Sequence, residues 1–199
     1  MSFRIRKLAL AAVAVSAVAV LPACTTTQST RAKALKPTTE TAAQSLADCT
    51  NITVLPFSVP TGKRVDPTAG GELARDVERR LSTDFGDLFA SVEYANAARG
   101  VENECVVEGA ITKYKKGSRF ARAMLIGLGP ASLEGNVTVR SGAGTEPLLS
   151  AGFDKLWAWG GVIGASKGIE EMTDEVAASI AATLAKAKGW TPPVAAKAS

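Results

Sequence analysis

The sequence predicts an α/β (α+β) domain: a β-α-β opening, an antiparallel meander, and a C-terminal helix packed on the one sheet. Three observations predict it. A short apolar run, Asn51-Ile52-Thr53-Val54-Leu55-Pro56-Phe57, precedes a stretch with Leu73, Val77, Leu81 and Phe85 at helical spacing. Three further runs rich in Val, Leu and Thr are separated by glycine-rich connections and read as strands. Between Ile169 and Lys188, the side chains of Ile169, Met172, Val176, Ile180 and Leu184 fall on one helical face.

Taken in order, the first strand is closed by prolines, which cannot donate to a ladder. A polar loop, Pro60 to Thr68, leads to a helix over about Gly70 to Asp84, with charged residues between the apolar ones. Ser91 to Tyr94 is a short second strand, and strand–helix–strand places the helix on a sheet. In Cys105 to Tyr114, Val107, Ala110 and Ile111 suit a buried face, while Glu108 and Lys113 suit an exposed one. Leu133 to Arg140 alternates imperfectly, with Gly135 a candidate bulge. Ser141-Gly142-Ala143-Gly144 makes a turn into the last strand, Pro147 to Trp159, and a meander is the economical path. The final helix carries Glu170, Glu171 and Asp174 early and Lys186 and Lys188 late, as its dipole prefers. Gly189 stops it. The folded domain spans 48–189, and 190–199 read as a disordered tail.

Before the domain lies a different kind of sequence. Arg4, Arg6 and Lys7 precede an apolar run from Leu8 to Val20. Thirteen helical residues reach only about 20 Å, short of the roughly 30 Å hydrocarbon core, so 1–23 reads as a signal peptide. Its ending, Leu21-Pro22-Ala23-Cys24, resembles the bacterial lipobox. That resemblance implies cleavage before Cys24 and a diacylglycerol on its sulfur, with two or more acyl chains as a stable anchor. Thr25, where Asp would favour the inner membrane in similar lipoproteins, points to the periplasmic face of the outer membrane. Residues 24–47 are poor in apolar side chains and read as a lipidated flexible tether, reaching roughly 25 Å as a coil.

Charge follows the same division. The chain has 23 Lys and Arg against 19 Asp and Glu, with a pI near 9.0. Three of the basic residues and none of the acids lie in 1–23, leaving 20 against 19. A near-neutral mature chain has little electrostatic drive toward a phosphate polymer, so nucleic acid is not an expected partner. There is no histidine, which removes Ser-His-Asp and Cys-His catalysis and most zinc sites. No G-x-S-x-G elbow is present. No catalytic residue, metal or cofactor is expected.

If Cys24 is acylated, Cys49 and Cys105 remain as an even pair in an oxidising compartment and are expected to form a disulfide. The alternative is two buried thiols. Two glycine-dotted apolar connections stand out. One runs over 117–130 and contains Arg119, Phe120, Arg122, Met124, Leu125, Ile126, Gly127, Leu128 and Gly129. The other, 157–168, contains Trp157 and Trp159. Gly127-x-Gly129 is followed by Pro130 and a strand, so it is not a phosphate cradle. The connections either cover the sheet or form an interaction surface for membrane or protein.

Several short motifs together resemble a bacterial lipoprotein family, domain of unknown function 4410. They are Val54-Leu55-Pro56-Phe57, Glu108-Gly109-Ala110-Ile111-Thr112-Lys113-Tyr114, Gly117-Ser118-Arg119 with Arg122, and Gly127-Leu128-Gly129. The family often has Gly-Ala-Gly-Lys where this chain has Gly127-Leu128-Gly129-Pro130. The opening is also similar, at the level of fold alone, to the periplasmic domains of the curli secretion lipoprotein. The family brings no established activity. The expectation is a lipid-anchored, periplasm-facing envelope protein acting in interaction or assembly, with an envelope protein or a second copy as partner. The alternative is a carrier of a lipid or other small hydrophobic ligand held beneath the 117–130 connection.

Overall fold

The computed structural model describes residues 35, 46–61, 65–118, 130–157 and 168–192. All belong to one compact unit spanning Arg31–Ser199. A 3-10 turn, Leu46–Asp48, leads into β1, Asn51–Val54. Then follow α1 (Ala69–Phe85), a 3-10 turn (Gly86–Leu88) and β2 (Ser91–Tyr94). The chain continues with β3 (Glu104–Lys115), β4 (Ala131–Ser141), β5 (Pro147–Trp157) and α2 (Ile169–Ala187). The five strands form one mixed sheet in the order β2-β1-β3-β4-β5. β1 is parallel to both β2 and β3, and the other two pairings are antiparallel. The expected β-α-β opening and antiparallel meander are therefore present.

Both helices lie on one face of the sheet and pack on each other, α1 over β1 and β2, α2 over β4 and β5. The stripe Leu73, Val77, Leu81 and Phe85 is almost wholly buried, as are Met172, Val176, Ile180 and Leu184. They close on Val107, Ile111, Leu133, Val137, Val139, Leu149 and Phe153 from alternate strand positions. A buried leucine of this kind contributes roughly 1.5–3 kcal/mol. Leu46 and Trp190, at the margins assigned by sequence to tether and tail, also pack on this core. The Trp190 ring meets that of Phe85 edge-on, 5.2 Å between centroids.

Two sequence expectations shift. The first strand ends at Val54 because Pro56 lacks a donor, yet the chain stays alongside β3. Leu55 N–H donates to Val107 O (2.8 Å) and Ser58 N–H to Gly109 O (2.9 Å). The bulge is not at Gly135. One register shift lies on β3 between Ile111 and Lys113, opposite Gly135 and Glu134, and a second lies on β5 at Leu148, between the partners of Val139 and Arg140. Gly135 is needed for another reason: a Cβ there would sit 2.4 Å from the Phe153 ring. The last strand is described to Trp157, and its expected end at Trp159 lies outside the described residues.

Candidate functional site

The strand directions give the sheet two unlike ends. At one end lie the start of β1, the start of β3 and the C-terminus of α2. Here the structure joins Cys49 to Cys105, 56 residues apart. Lys188 Nζ donates to the carbonyls of Ala47 (2.5 Å) and Cys49 (2.8 Å). A little further along, on the sheet face away from the helices, Glu104 is buried with its side chain 1 % exposed. It accepts from the Thr53 hydroxyl (2.5 Å) and from the backbone N–H groups of Arg99 (2.8 Å) and Gly100 (2.7 Å). Burial alone would raise its pKa, but these donors outweigh it and hold the carboxyl below the ordinary 4.5. Arg99 spans the corner, donating from Nε to Thr53 Oγ1 (2.9 Å) and from Nη2 to Ser91 Oγ (3.1 Å), and pairing with Glu93 at 2.6 Å. Glu104 also borders a hollow of about 370 Å3 with Ser141 and Gly142. With its oxygens committed to three donors, this carboxylate is a structural tie, not an acid–base group.

The opposite end gathers the functional candidates. The pairs Lys115–Ser132 and Ala131–Trp157 bring the ends of β3, β4 and β5 side by side. The two glycine-dotted connections, far apart in sequence, therefore leave from the same end of the sheet. Trp157 closes β5 there. Residues Arg119, Phe120, Arg122, Met124, Leu125, Ile126, Gly127, Leu128, Gly129 and Trp159, like Cys24, lie outside the described residues. Both helices begin at this end. A Cβ on Gly70 would fall 1.9 Å from Phe57 O, so only glycine lets the first turn of α1 approach the chain after β1.

Between the helix starts and the end of β3 opens a cleft of about 450 Å3, lined among others by Asp66, Glu72, Arg75, Tyr114, Lys116 and Glu170. Asp66 accepts from Thr68 N–H (3.0 Å), and the Thr68 hydroxyl lies 2.8 Å from both Asp66 Oδ1 and Glu72 Oε1, donating to one at a time. The Thr68 N–H, its hydroxyl and nearby Lys116 hold Asp66 below 3.8. Burial, with Asp66, Glu72 and Glu170 facing it, pushes the Tyr114 phenol above its ordinary value. The Arg75 guanidinium stacks 4.6 Å from the Tyr94 ring centroid. Among the described residues no group of three or more His, Cys, Asp or Glu is placed to hold a metal. A lining dominated by charge differs from the mostly apolar walls of a lipid site.

The Arg99–Glu104–Thr53 tie and this cleft were not singled out from sequence. Glu104 sits just before the predicted start of its strand. Its alternation with Val106 and Glu108 was the available signal, but nothing local distinguishes a buried Glu on the open sheet face from a solvated one. The cleft draws Asp66, Tyr114 and Glu170 from positions up to 104 residues apart in the chain, a proximity visible only in the fold.

Residues 62–158 match the model of a family described as Domain of unknown function (DUF4410). The Val54–Phe57 motif precedes the matched span, and the other quoted motifs fall within it. Among curated proteins none matches the sequence. Among solved structures, the chain is similar to a point variant of PelC from Paraburkholderia phytofirmans, a dodecamer. Identity is 17%, coverage 70% of this chain and 91% of that one, with a TM-score of 0.52. A second PelC dodecamer from that organism gives 17% identity, 72% and 90% coverage, and a TM-score of 0.50. A Xanthomonas campestris protein assigned to family DUF330 gives 15% identity, 70% and 86% coverage, and 0.47. The two PelC structures share this fold. Among the described residues no helix is long and apolar enough to cross a membrane.

Proposed function

We propose that this chain, a DUF4410 family member through residues 62–158, is a lipid-anchored, periplasm-facing envelope protein that acts by self-association, without catalysis. The observation that carries the reading is the convergence of the two glycine-dotted connections on one end of the sheet. Each is rich in apolar residues by sequence, and departure from one end of the sheet tethers the two close to each other, which supports a joint contact role. PelC, with the same fold, forms a dodecamer, which supports assembly as the mode of action. The lipobox and Thr25 support anchoring through Cys24 on the periplasmic side of an outer membrane, with the chain after Cys24 as the tether to a working domain that takes in Leu46 and Trp190. The charged cleft does not favour the lipid-carrier alternative.

Full-length protein extracted in mild detergent tests the assembly reading by light scattering. A multiple of the monomer mass is expected, and a strict monomer sinks it. Crosslinking in cells from a photoreactive residue at position 125 should capture a second copy. Mass spectrometry of the mature N-terminus should find Cys24 acylated, and Cys24→Ala should abolish membrane retention. An unmodified Cys24 in a fully processed chain would overturn the anchor.

A further inference from the structure

The leader before the domain is polar except at two positions. Between Thr25 and Ala47 its large apolar side chains are Leu35 and Leu46, and both pack on the domain core. The surface that Leu35 meets is the C-terminal half of α2. Its N–H donates to Thr183 Oγ1 at 2.7 Å. The Thr183 hydroxyl gives its own hydrogen to Ser179 O (2.7 Å), the usual back-bond of a threonine within a helix. Its oxygen is therefore left as an acceptor for an incoming amide. Burial agrees that this half of α2 is covered. From Ser179 to Ala185, seven consecutive residues are each at most 5% exposed, and seven residues make nearly two turns, pointing in every direction. A helix resting on a sheet beside one other helix keeps an outward stripe in solvent, as Glu170, Glu171, Asp174 and Glu175 do, exposed or half-buried, in the first half. Trp190, whose N–H returns to Ala185 O, and Leu35 on Thr183 are described parts of the cover. Five of the seven residues are Ala, Ser or Thr, which lets a covering chain come close.

We infer that the flank of α2 around Thr183 is a docking site for this chain's own leader, with Leu35 as its plug. Docking changes what the leader can do. As a free tether from Cys24 to Ala47 it would reach roughly 25 Å as a coil; with Leu35 held, residues 25–34 are the free span, and the reach falls to roughly 17 Å. Thr183 lies near the end of α2 at Ala187, about 6 Å short of it along the axis and about 21 Å from Ile169 at the loop end. The leader thus meets the domain toward its disulfide end, and the two glycine-dotted connections leave from the other. A short leash fixed there holds the proposed contact surface away from the point of anchorage, where a second copy rather than the anchoring bilayer meets it. That consequence rests on the acylation of Cys24 proposed above; the docking itself does not.

Hydrogen exchange on the mature full-length protein in mild detergent, resolved to single amides, tests the docking. The Leu35 amide should exchange about tenfold or more slowly than in a free peptide of the same sequence. Thr183→Val keeps the shape and removes the acceptor, so it should return that amide to the peptide rate, and Thr183→Ser should retain the protection. Because Thr183 is itself buried, Leu35→Asp supplies an arm from the leader side: it should free the amide at position 35 in a domain whose other amides stay protected. A Leu35 amide at the peptide rate in the parent overturns the docking, and protection that survives Thr183→Val overturns the acceptor and the site with it. Leu35→Cys combined with Thr183→Cys and a short thiol crosslinker should give a closed monomer on non-reducing gels. A crosslinked dimer would put a second copy's leader in the site and overturn docking within the chain. Mass spectrometry of the mature N-terminus separates the two proposals: an unmodified Cys24 beside a protected Leu35 amide overturns the leash and leaves the docked leader standing.

Discussion

The two ends of the sheet are built on opposite terms. At the disulfide end, Cys49 is bonded to Cys105, Lys188 ties α2 to the chain before β1, and the buried Glu104 has a donor on each oxygen. At the loop end, an open cleft is ringed by Asp66, Glu72, Arg75, Lys116 and Glu170. The buried Ser132 hydroxyl on β4, beside the end of β3, has no partner among the described residues. The difference teaches that the tying interactions gather at one end of this fold, while the proposed contact surface lies at the other. Elements committed to binding come from the less stable parts of a protein, and here the topology separates them by the length of β3.

If that division is real, the largest loss of stability comes from the disulfide end. Cys49→Ala with Cys105→Ala should cost about 4 kcal/mol in the chain-entropy model for a separation of this size. Denaturant titration of the oxidised parent against the variant measures it. A cost below about 1 kcal/mol would mean that the clamp is carried by Lys188 and Glu104 instead. Glu104→Gln comes next, at roughly 2–3 kcal/mol. The amide would turn an N–H2 group toward donors that now meet carboxylate oxygens. Its pH signature follows from the lowered pKa. The carboxylate stabilises the fold above its unfolded value of 4.5, and that contribution is lost as pH falls through the lower folded value. Acid unfolding of the parent should therefore steepen below about pH 4.5, and Glu104→Gln should flatten it.

How much of this was legible beforehand follows the same division. The helical stripe Leu73–Phe85 and the alternation in Cys105–Tyr114 are local, and periodicity reports local structure well, so both elements appear within a residue or two. The Cys49–Cys105 pairing rested on compartment and parity, and the structure makes the bond. The Gly135 bulge went wrong because glycine has two uses in a strand. Sequence does not distinguish a bulge from clearance for an aromatic ring, and Phe153 supplies the ring. The charged cleft and the Arg99–Glu104 tie depend on which strands become neighbours. No spacing within one segment encodes that.

The helix layer joins the two ends, and Asp174 probes it. Arg80 donates to it from both Nε and Nη2, and Arg79 reaches it at 3.0 Å. Hydrogen bonds from Arg80 chiefly, against some burial, hold its carboxyl below the usual 3.8. It is about a third exposed, so solvent screening limits its value, and Asp174→Ala should cost roughly 1 kcal/mol. Raising the salt should shrink the gap between parent and variant. A salt-independent loss would point to packing of α1 on α2 as its source. By the sign of its shift, its contribution is present above pH 3.8 and fades as pH falls through the lower folded value.

The smallest expected effect has the opposite sign and discriminates best between the ends. The Ser132 hydroxyl is buried with no hydrogen-bond partner among the described residues, in a residue 1% exposed at the start of β4. Leaving such a group unpaired costs free energy that alanine would not incur. Ser132→Ala should thus stabilise the protein by about 0.5–1 kcal/mol, seen as a higher urea midpoint at unchanged slope. Natural chains retain destabilising groups where function needs them, so the variant should also change assembly, measured as the oligomeric fraction at fixed concentration. A more stable protein that assembles normally would show that Ser132 is a packing defect and would weaken the division of labour between the two ends. A less stable one would show that the hydroxyl has a partner in the folded protein, and the loop end would then be as well satisfied as the other.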